Sequence, residues 1–110
     1  PWVAGGAGPG PVGAAAAASE ATIGYYYVIF IDVDKDGYPR ALQAAAPRVR
    51  RGGYLIADNV LWSGRVVDES IHDAATEGIR QFNRRLFSLQ EYKTVIVPLR
   101  DGVAISRREG

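Results

Sequence analysis

The chain has 110 residues, which allows one domain with a modest hydrophobic core. Its 13 basic and 12 acidic residues nearly cancel, and a formal charge of +1 gives no electrostatic basis for binding nucleic acid or an anionic membrane. The absence of cysteine excludes disulfide bonds and thiolate metal sites and fits a cytoplasmic location, and no apolar run reaches the ~18 residues of a membrane span.

The first twenty residues have the composition of a lead-in segment. Residues 1–13 are mostly Gly, Ala, Pro and Val, which is typical of a flexible segment. Residues 14–21 are rich in alanine and favour a short helix. The pattern then changes to that of a folded domain, so we divide the chain into a lead-in over residues 1–20 and a domain over residues 21–110.

The first half of that domain predicts strand, helix and strand. The run from Tyr25 to Ile31 is continuously aromatic or β-branched, which is typical of a strand buried on both faces of a parallel sheet. Apolar residues at helical spacing predict a helix that begins near Pro39 and ends at Gly52-Gly53. A second buried strand is predicted at residues 54–57, followed by a loop over residues 58–68.

The second half of the domain adds a longer helix and two strands. Ser70 and Asp73 form a fair N-cap pair for this helix. Strands are predicted at residues 92–99 and 103–106, and the Asp101-Gly102 pair between them is a strong hairpin signal. The order of elements predicts an α/β fold, a partial Rossmann-like sheet of parallel strands with a C-terminal antiparallel hairpin strand.

Two acidic side chains are predicted to follow neighbouring strands. Asp32 comes directly after the first strand, and Asp58 comes directly after the second, with Asn59 beside it. Their separation, 58 − 32 = 26 residues, is the length of one strand–helix–strand crossover, so both should emerge at the carboxyl edge of the sheet, where open α/β folds bind ligands. Two carboxylates and an amide oxygen suit Mg²⁺ or a similar cation. The alternative is that each Asp only caps the turn that follows it.

Two motifs at this edge resemble those of a known family. Residues 31–38, I-D-V-D-K-D-G-Y, resemble the I-D-A-D-K-x-x-Y segment of the cation-dependent O-methyltransferases of the caffeoyl-CoA/catechol type, which use S-adenosylmethionine. Residues 57–64, A-D-N-V-L-W-S-G, resemble the D-N-x-L-W-x-G segment of the same family. With the turn at residues 51–53 and the hairpin at 98–108, the resemblance covers about residues 25–108 and implies the C-terminal half of such a methyltransferase fold.

The resemblance implies a role for each polar residue of the first motif and for the acidic pair of the second. Asp32, Asp58 and Asn59 fall on the metal ligands of the family. Asp32 and Asp34 fall on contacts to S-adenosylmethionine. Lys35 falls on the position that serves as catalytic base in the catechol enzymes.

The acceptor side of the implied site includes Asp32, Trp62 and Ser63. Trp62 is interpreted as a wall of the acceptor pocket, with ordinary loop packing as an equal alternative, and Ser63 stands where the plant enzymes have Asn. The implied reaction transfers a methyl group from S-adenosylmethionine to a hydroxyl of a small ortho-dihydroxy aromatic, such as a catechol or a caffeoyl ester. A divalent cation would hold the two oxygens and lower the pKa of a phenol that is otherwise near ~10.

Part of the family's cofactor site is missing from the sequence. No E-x-G-x-x-x-G-like turn and no acidic residue for the ribose are found, and no hydrophobic strand is predicted before the glycine-rich segment Gly5–Gly13. The second interpretation of the sequence is a non-catalytic methyltransferase remnant that folds only with a partner chain. Loss of the first strands would expose an edge of the sheet, which a partner could cover. A homodimer is one such assembly.

A calcium-binding module is a third interpretation. The pattern Asp32-x-Asp34-x-Asp36-Gly37 matches the opening of an EF-hand loop. A β-like run precedes it where an EF-hand has a helix, and the twelfth position is Gln43 where an EF-hand has Glu. These departures make the calcium module the least favoured of the three.

Overall fold

The structure, a computed structural model, describes residues 2–4 and 24–110. The described residues form five strands: β1 (Trp2–Ala4), β2 (Tyr26–Ile31), β3 (Val49–Asp58), β4 (Tyr92–Val97) and β5 (Val103–Arg108). They also form two α-helices, α1 (Tyr38–Ala45) and α2 (Ala74–Ser88), and 3₁₀ turns at Lys35–Gly37, Ala46–Arg48 and Trp62–Val67. The helix predicted at residues 14–21 lies outside the described residues.

The five strands form one sheet with the order β1-β2-β3-β5-β4. Strands β1, β2 and β3 pair in parallel, and β5 is antiparallel to both β3 and β4. The predicted α/β class, with parallel strands and a C-terminal antiparallel hairpin strand, is confirmed. Within the described part of the chain, neither helix is long and apolar enough to cross a membrane.

The two helices cover one face of the sheet. Side chains alternate between the faces of a strand, and four fully buried ones on β2 and β3 lie on the helix side: Ile29, Ile31, Leu55 and Ala57. The helices add their apolar side chains to the same core: Leu42 from α1, and Ile79, Phe82 and Leu86 from α2. The opposite face keeps large apolar side chains in contact with solvent, with Phe30 42%, Tyr54 39% and Val95 60% exposed.

The prediction that Gly52-Gly53 ends the first helix is wrong. Helix α1 ends at Ala45, and the 3₁₀ turn that contains Pro47 separates it from β3, which begins at Val49. Both glycines therefore lie inside β3, where Gly52 has a φ of +83°. A Cβ on Gly53 would lie 2.6 Å from the carbonyl oxygen of Tyr27, so the close approach of β2 and β3 requires glycine here.

Two other expectations differ from the structure near element ends. The N-cap of α2 is Asp73, whose carboxylate accepts from the backbone N–H of Thr76 at 2.9 Å. Ser70 lies upstream of the helix and hydrogen bonds to Asp68 instead. At the start of the chain, Trp2–Ala4 form a strand inside the expected lead-in, because a short apolar stretch can pair with an existing strand without any pattern of its own.

Candidate functional site

Asp32 and Asp58 lie at matched positions on adjacent parallel strands. Ile31 of β2 pairs with Ala57 of β3 in the sheet register, so the two aspartates follow paired residues at the same edge. Adjacent strands are ~4.8 Å apart, so the backbones that carry the two aspartates are close neighbours. Asp32 is exposed and Asp58 is half-buried. The structure therefore places the two aspartates at neighbouring positions on one edge of the sheet.

Tyr38 is the common neighbour of both carboxylates. Its side chain is fully buried beneath them, with its ring against Phe82 at a centroid distance of 5.1 Å. Burial raises the pKa of the Tyr38 phenol, and the negative charges of Asp32 and Asp58 raise it further. The hydroxyl therefore stays protonated and donates to the backbone carbonyl of Asp58 at 2.7 Å.

Lys35 is held on the other side of the same hydroxyl. Its Nζ donates to Tyr38 Oη at 3.1 Å and to the carbonyl oxygen of Val33 at 3.4 Å. The amine lies 5.9 Å from the ring centroid of Trp62, which is half-buried. Tyr38 thus links the candidate base to the strand end that carries Asp58, a link that the sequence analysis did not predict.

Trp62 packs against the core and faces positive charge. Its ring is 5.2 Å from the guanidinium carbon of Arg65, in addition to its contact with Lys35. Both assignments from the sequence, pocket wall and loop packing, are compatible with this position. The backbone of Trp62 has a φ of +50°, and its neighbours Ser63 and Gly64 have φ of +54° and +79°. Left-handed backbone of this kind is costly and is often found at functional sites.

Asn59 and Ser63 share one partner, Asp101. The carboxylate of Asp101 accepts from Asn59 Nδ2 at 3.1 Å and from Ser63 Oγ at 3.0 Å. The backbone N–H of Asn59 donates to Asp58 Oδ1 at 2.7 Å. Asp101 was predicted only as a hairpin turn residue, and no local pattern could have shown that it contacts a loop about forty residues away.

Arg80 is a second residue whose position the sequence did not predict. From the first half of α2, its guanidinium donates to four carbonyl oxygens between residues 65 and 71 and pairs with Glu77. Asn83, one turn further along, donates to the carbonyl of Val60 at 2.8 Å. The loop after β3 is therefore fastened to α2 as well as to the hairpin.

The other acidic residues near this edge do not join the pair. Asp34 and Asp36 are exposed on the turn that carries Lys35. Within residues 24–110, no three His, Asp or Glu side chains are grouped as a metal site would require. The candidate ligand set is therefore two carboxylates, Asp32 and Asp58, with the amide oxygen of Asn59. The EF-hand interpretation is wrong, because strand β2 occupies the place of the helix that would precede its loop.

Comparisons with known proteins agree on one family. A family model described as O-methyltransferase matches residues 14–109. A catechol O-methyltransferase from Niastella koreensis is 41% identical over 63 residues, which are 57% of this chain and 28% of that relative. Caffeoyl-CoA O-methyltransferase 1 from Arabidopsis thaliana is 32% identical over 97 residues, which are 83% of this chain and 38% of that relative.

The likeness extends to a solved structure. An O-methyltransferase from Bacillus cereus, solved in complex with SAH, is 26% identical to this chain with a TM-score of 0.70. The match covers 76% of this chain and 40% of that one. The chain spans about a third of the length of the curated relatives that it matches.

Proposed function

The chain belongs to the O-methyltransferase family, and on that basis we propose that it carries the cation-binding part of a site that transfers a methyl group from S-adenosylmethionine to a hydroxyl of a small ortho-dihydroxy aromatic. The observation that carries this proposal is the register match that puts Asp32 and Asp58 side by side, with the Lys35 amine held nearby by Tyr38. Carboxylates beside an amine and an aromatic ring suit recognition of a phenol.

The donor set fits a divalent cation. Asp32, Asp58 and Asn59 would hold it through oxygen atoms, which Mg²⁺ and similar ions prefer. Asp58 Oδ1 accepts from the Asn59 backbone, which leaves Oδ2 for an ion, and the hydrogen bond at Asn59 Nδ2 leaves the amide oxygen without a partner among the described residues. When bound, the cation would lower the pKa of the acceptor hydroxyl.

We propose that Lys35 receives the proton that the acceptor hydroxyl loses. Tyr38 Oη and the carbonyl of Val33 fix its Nζ in position. Because the Tyr38 hydroxyl stays protonated, it donates to the Asp58 carbonyl and accepts from Lys35. Trp62 shields this amine on one side, and a flat ring suits contact with an aromatic acceptor. Ser63, held by Asp101, is proposed to contact the acceptor from the same loop.

The methyl donor is proposed to bind beside Asp32 and Asp34. S-adenosylmethionine supplies the methyl group, which moves from its sulfonium to the acceptor oxygen. Strand β1, which the sequence analysis did not predict, ends in register with β2, since Ala4 pairs with Ile31. Ala4 therefore lies at the same edge of the sheet as Asp32, which is where open α/β folds bind their ligands.

Calorimetric titration of Mg²⁺ into wild type, Asp58→Ala and Asp36→Ala tests the proposal. We expect Asp58→Ala to lose measurable Mg²⁺ binding and Asp36→Ala to keep it, because Asp36 is an exposed carboxylate outside the ligand set. Equal binding by all three proteins would contradict the proposed site. A parallel titration with S-adenosylmethionine should show binding to the wild type. If Mg²⁺ binds and S-adenosylmethionine does not, the proposal is confined to the cation part of the site.

A second candidate function is a methyltransferase remnant that requires a partner chain. The observation that favours it is a sheet face that the described residues leave uncovered, with Phe30, Tyr54 and Val95 exposed, because apolar surface of this kind is normally buried by another element. Size-exclusion chromatography at several concentrations separates the candidates. Association that increases with concentration supports the remnant, with a homodimer as the simplest product, and a monomer at all concentrations contradicts it.

A further inference from the structure

Asp101 lies at the tip of the β4–β5 hairpin and reaches across to the loop after β3. One of its carboxylate oxygens accepts from Asn59 Nδ2, and the other accepts from Ser63 Oγ. The side chain is half-buried. A single carboxylate therefore takes hydrogen bonds from a proposed metal ligand and from a proposed acceptor contact.

The backbone keeps Asp101 in this position. The N–H of Leu61 donates to the carbonyl of Asp101 at 2.7 Å, and the N–H of Val60 donates to the carbonyl of Gly102 at 3.1 Å. A Cβ on Gly102 would lie 2.5 Å from Leu61 Cγ, so the turn and the loop are in tight contact. The position of Asp101 relative to Asn59 is therefore set by the fold and does not depend on a mobile surface side chain.

The chemistry of the two groups fixes which way the amide of Asn59 points. An ionised carboxylate only accepts hydrogen bonds, so the nitrogen of the amide must face Asp101. The amide is planar, and its oxygen is then turned away from the carboxylate. That oxygen is the only atom of the Asn59 side chain that can bind a cation. Without Asp101 the amide could rotate and present its NH₂ group, which cannot bind a cation.

We propose that Asp101 is a positioning residue for the cation site, acting through the amide of Asn59. This inference depends on the proposed function, since it assumes that Asn59 is a ligand. Partners that orient metal ligands typically contribute about 10–100-fold to metal affinity. Asp101 also holds Ser63, so the hairpin tip fixes the cation side and the acceptor side of the loop together.

The inference is tested by measuring Mn²⁺ binding through the electron paramagnetic resonance signal of the free ion. We expect Asp101→Ala to weaken binding by about 10–100-fold. Asp101→Asn should weaken it less, because its amide oxygen can still accept from Asn59 Nδ2. Glu69→Gln should leave it unchanged, since Glu69 is an exposed carboxylate elsewhere in the loop.

A double-mutant cycle distinguishes positioning from simple loss of charge. If Asp101 acts through Asn59, Asp101→Ala should have almost no further effect on Mn²⁺ affinity once Asn59→Ala is present. If Asp101 acts only by its charge, the same loss should appear in both backgrounds, and Asp101→Asn should match Asp101→Ala. Either of these last two results would overturn the inference.

The wild-type protein gives a second measurement that does not depend on how the variants fold. In its NMR spectrum without metal, the side-chain NH₂ group of Asn59 should exchange slowly with solvent, because the hydrogen bond to Asp101 protects it. Rapid exchange of that NH₂ group would overturn the inference. Failure of the proposed function looks different: Mn²⁺ affinity would then be the same in wild type and Asp58→Ala, whatever Asp101→Ala does.

Discussion

The chain after β2 and the chain after β3 reach the same edge of the sheet but are held there in different ways. The first continues directly through the Lys35–Gly37 turn into α1, and most of its hydrogen bonds join residues close in sequence. The second is a long loop whose bonds run to Asp101, Arg80 and Asn83, all distant in sequence. Two ligands of one proposed site therefore depend on different parts of the fold.

The difference teaches where a site of this kind is fragile. The conformation of a short turn that leads into a helix is set mainly by hydrogen bonds between residues close in sequence. Changes elsewhere in the chain therefore disturb it only through packing. A long loop with left-handed residues at Asn59, Trp62 and Ser63 has a backbone cost that its partners must offset. Mutations that remove those partners should release the loop after β3 and leave the turn after β2 in place.

Gly78→Ala should have the largest effect, and it tests whether the turn after β2 is as local as its hydrogen bonds indicate. A Cβ at Gly78 on α2 would lie 2.4 Å from the carbonyl oxygen of Lys35 and 2.8 Å from Cα of Asp36. Because both contacts are with backbone, the helix or the turn must move, and we expect a loss of about 3 kcal/mol of stability. Chemical denaturation measures the loss, with the exposed Arg84→Ala on the same helix as control.

A shift in the Lys35 turn should accompany that loss of stability. If the turn moves, Lys35 leaves its bond to Tyr38, and the backbone NMR signals of residues 33–38 should change more than those of residues 59–64. A stable Gly78→Ala protein with unchanged signals in both segments would show that the close packing of α2 does not position the turn.

Arg80→Ala should have a smaller effect that is confined to the loop after β3. The Arg80 side chain is 14% exposed and donates to carbonyl oxygens of Arg65, Val66, Asp68 and Ile71. Its removal leaves these carbonyls to water, and we expect a loss of about 2 kcal/mol. Hydrogen exchange should become faster in residues 64–71 and stay unchanged in residues 33–38.

Arg80→Lys tests whether the planar shape of the guanidinium, and not only its charge, holds the loop. Lysine keeps the charge but lacks the planar fork that reaches several carbonyls at once, so it should recover only a small part of the loss. Full recovery by lysine would mean that charge, and not the geometry of the guanidinium, fastens the loop.

The sequence predicted which edge of the sheet carries the two aspartates, but not the contacts that hold the turn after β2 and the loop after β3, for a physical reason. Asp32 and Asp58 could be placed at one edge because strand period and crossover length are local patterns, and the register bears this out. The roles of Tyr38, Arg80 and Asp101 are contacts between segments that no local pattern encodes. The Gly52-Gly53 error has the same origin, since Gly53 is required by the carbonyl of Tyr27 on the neighbouring strand.

The comparison of Gly102→Ala with Gly64→Ala has the smallest expected difference in stability. It tests one contact, that between the hairpin tip and Leu61. Both glycines have positive φ, +84° and +79°, so alanine costs about 1 kcal/mol of backbone strain at either position. A Cβ added at Gly102 would lie 2.5 Å from Leu61 Cγ and 3.1 Å from Leu61 Cβ, whereas a Cβ added at Gly64 would meet open space. Rotation of the Leu61 side chain cannot relieve the contact with its Cβ, so Gly102→Ala should cost about 1 kcal/mol more than Gly64→Ala. Equal losses in denaturation would show that the hairpin tip does not press on the loop, and the long loop would then owe its shape to Arg80 and Asn83.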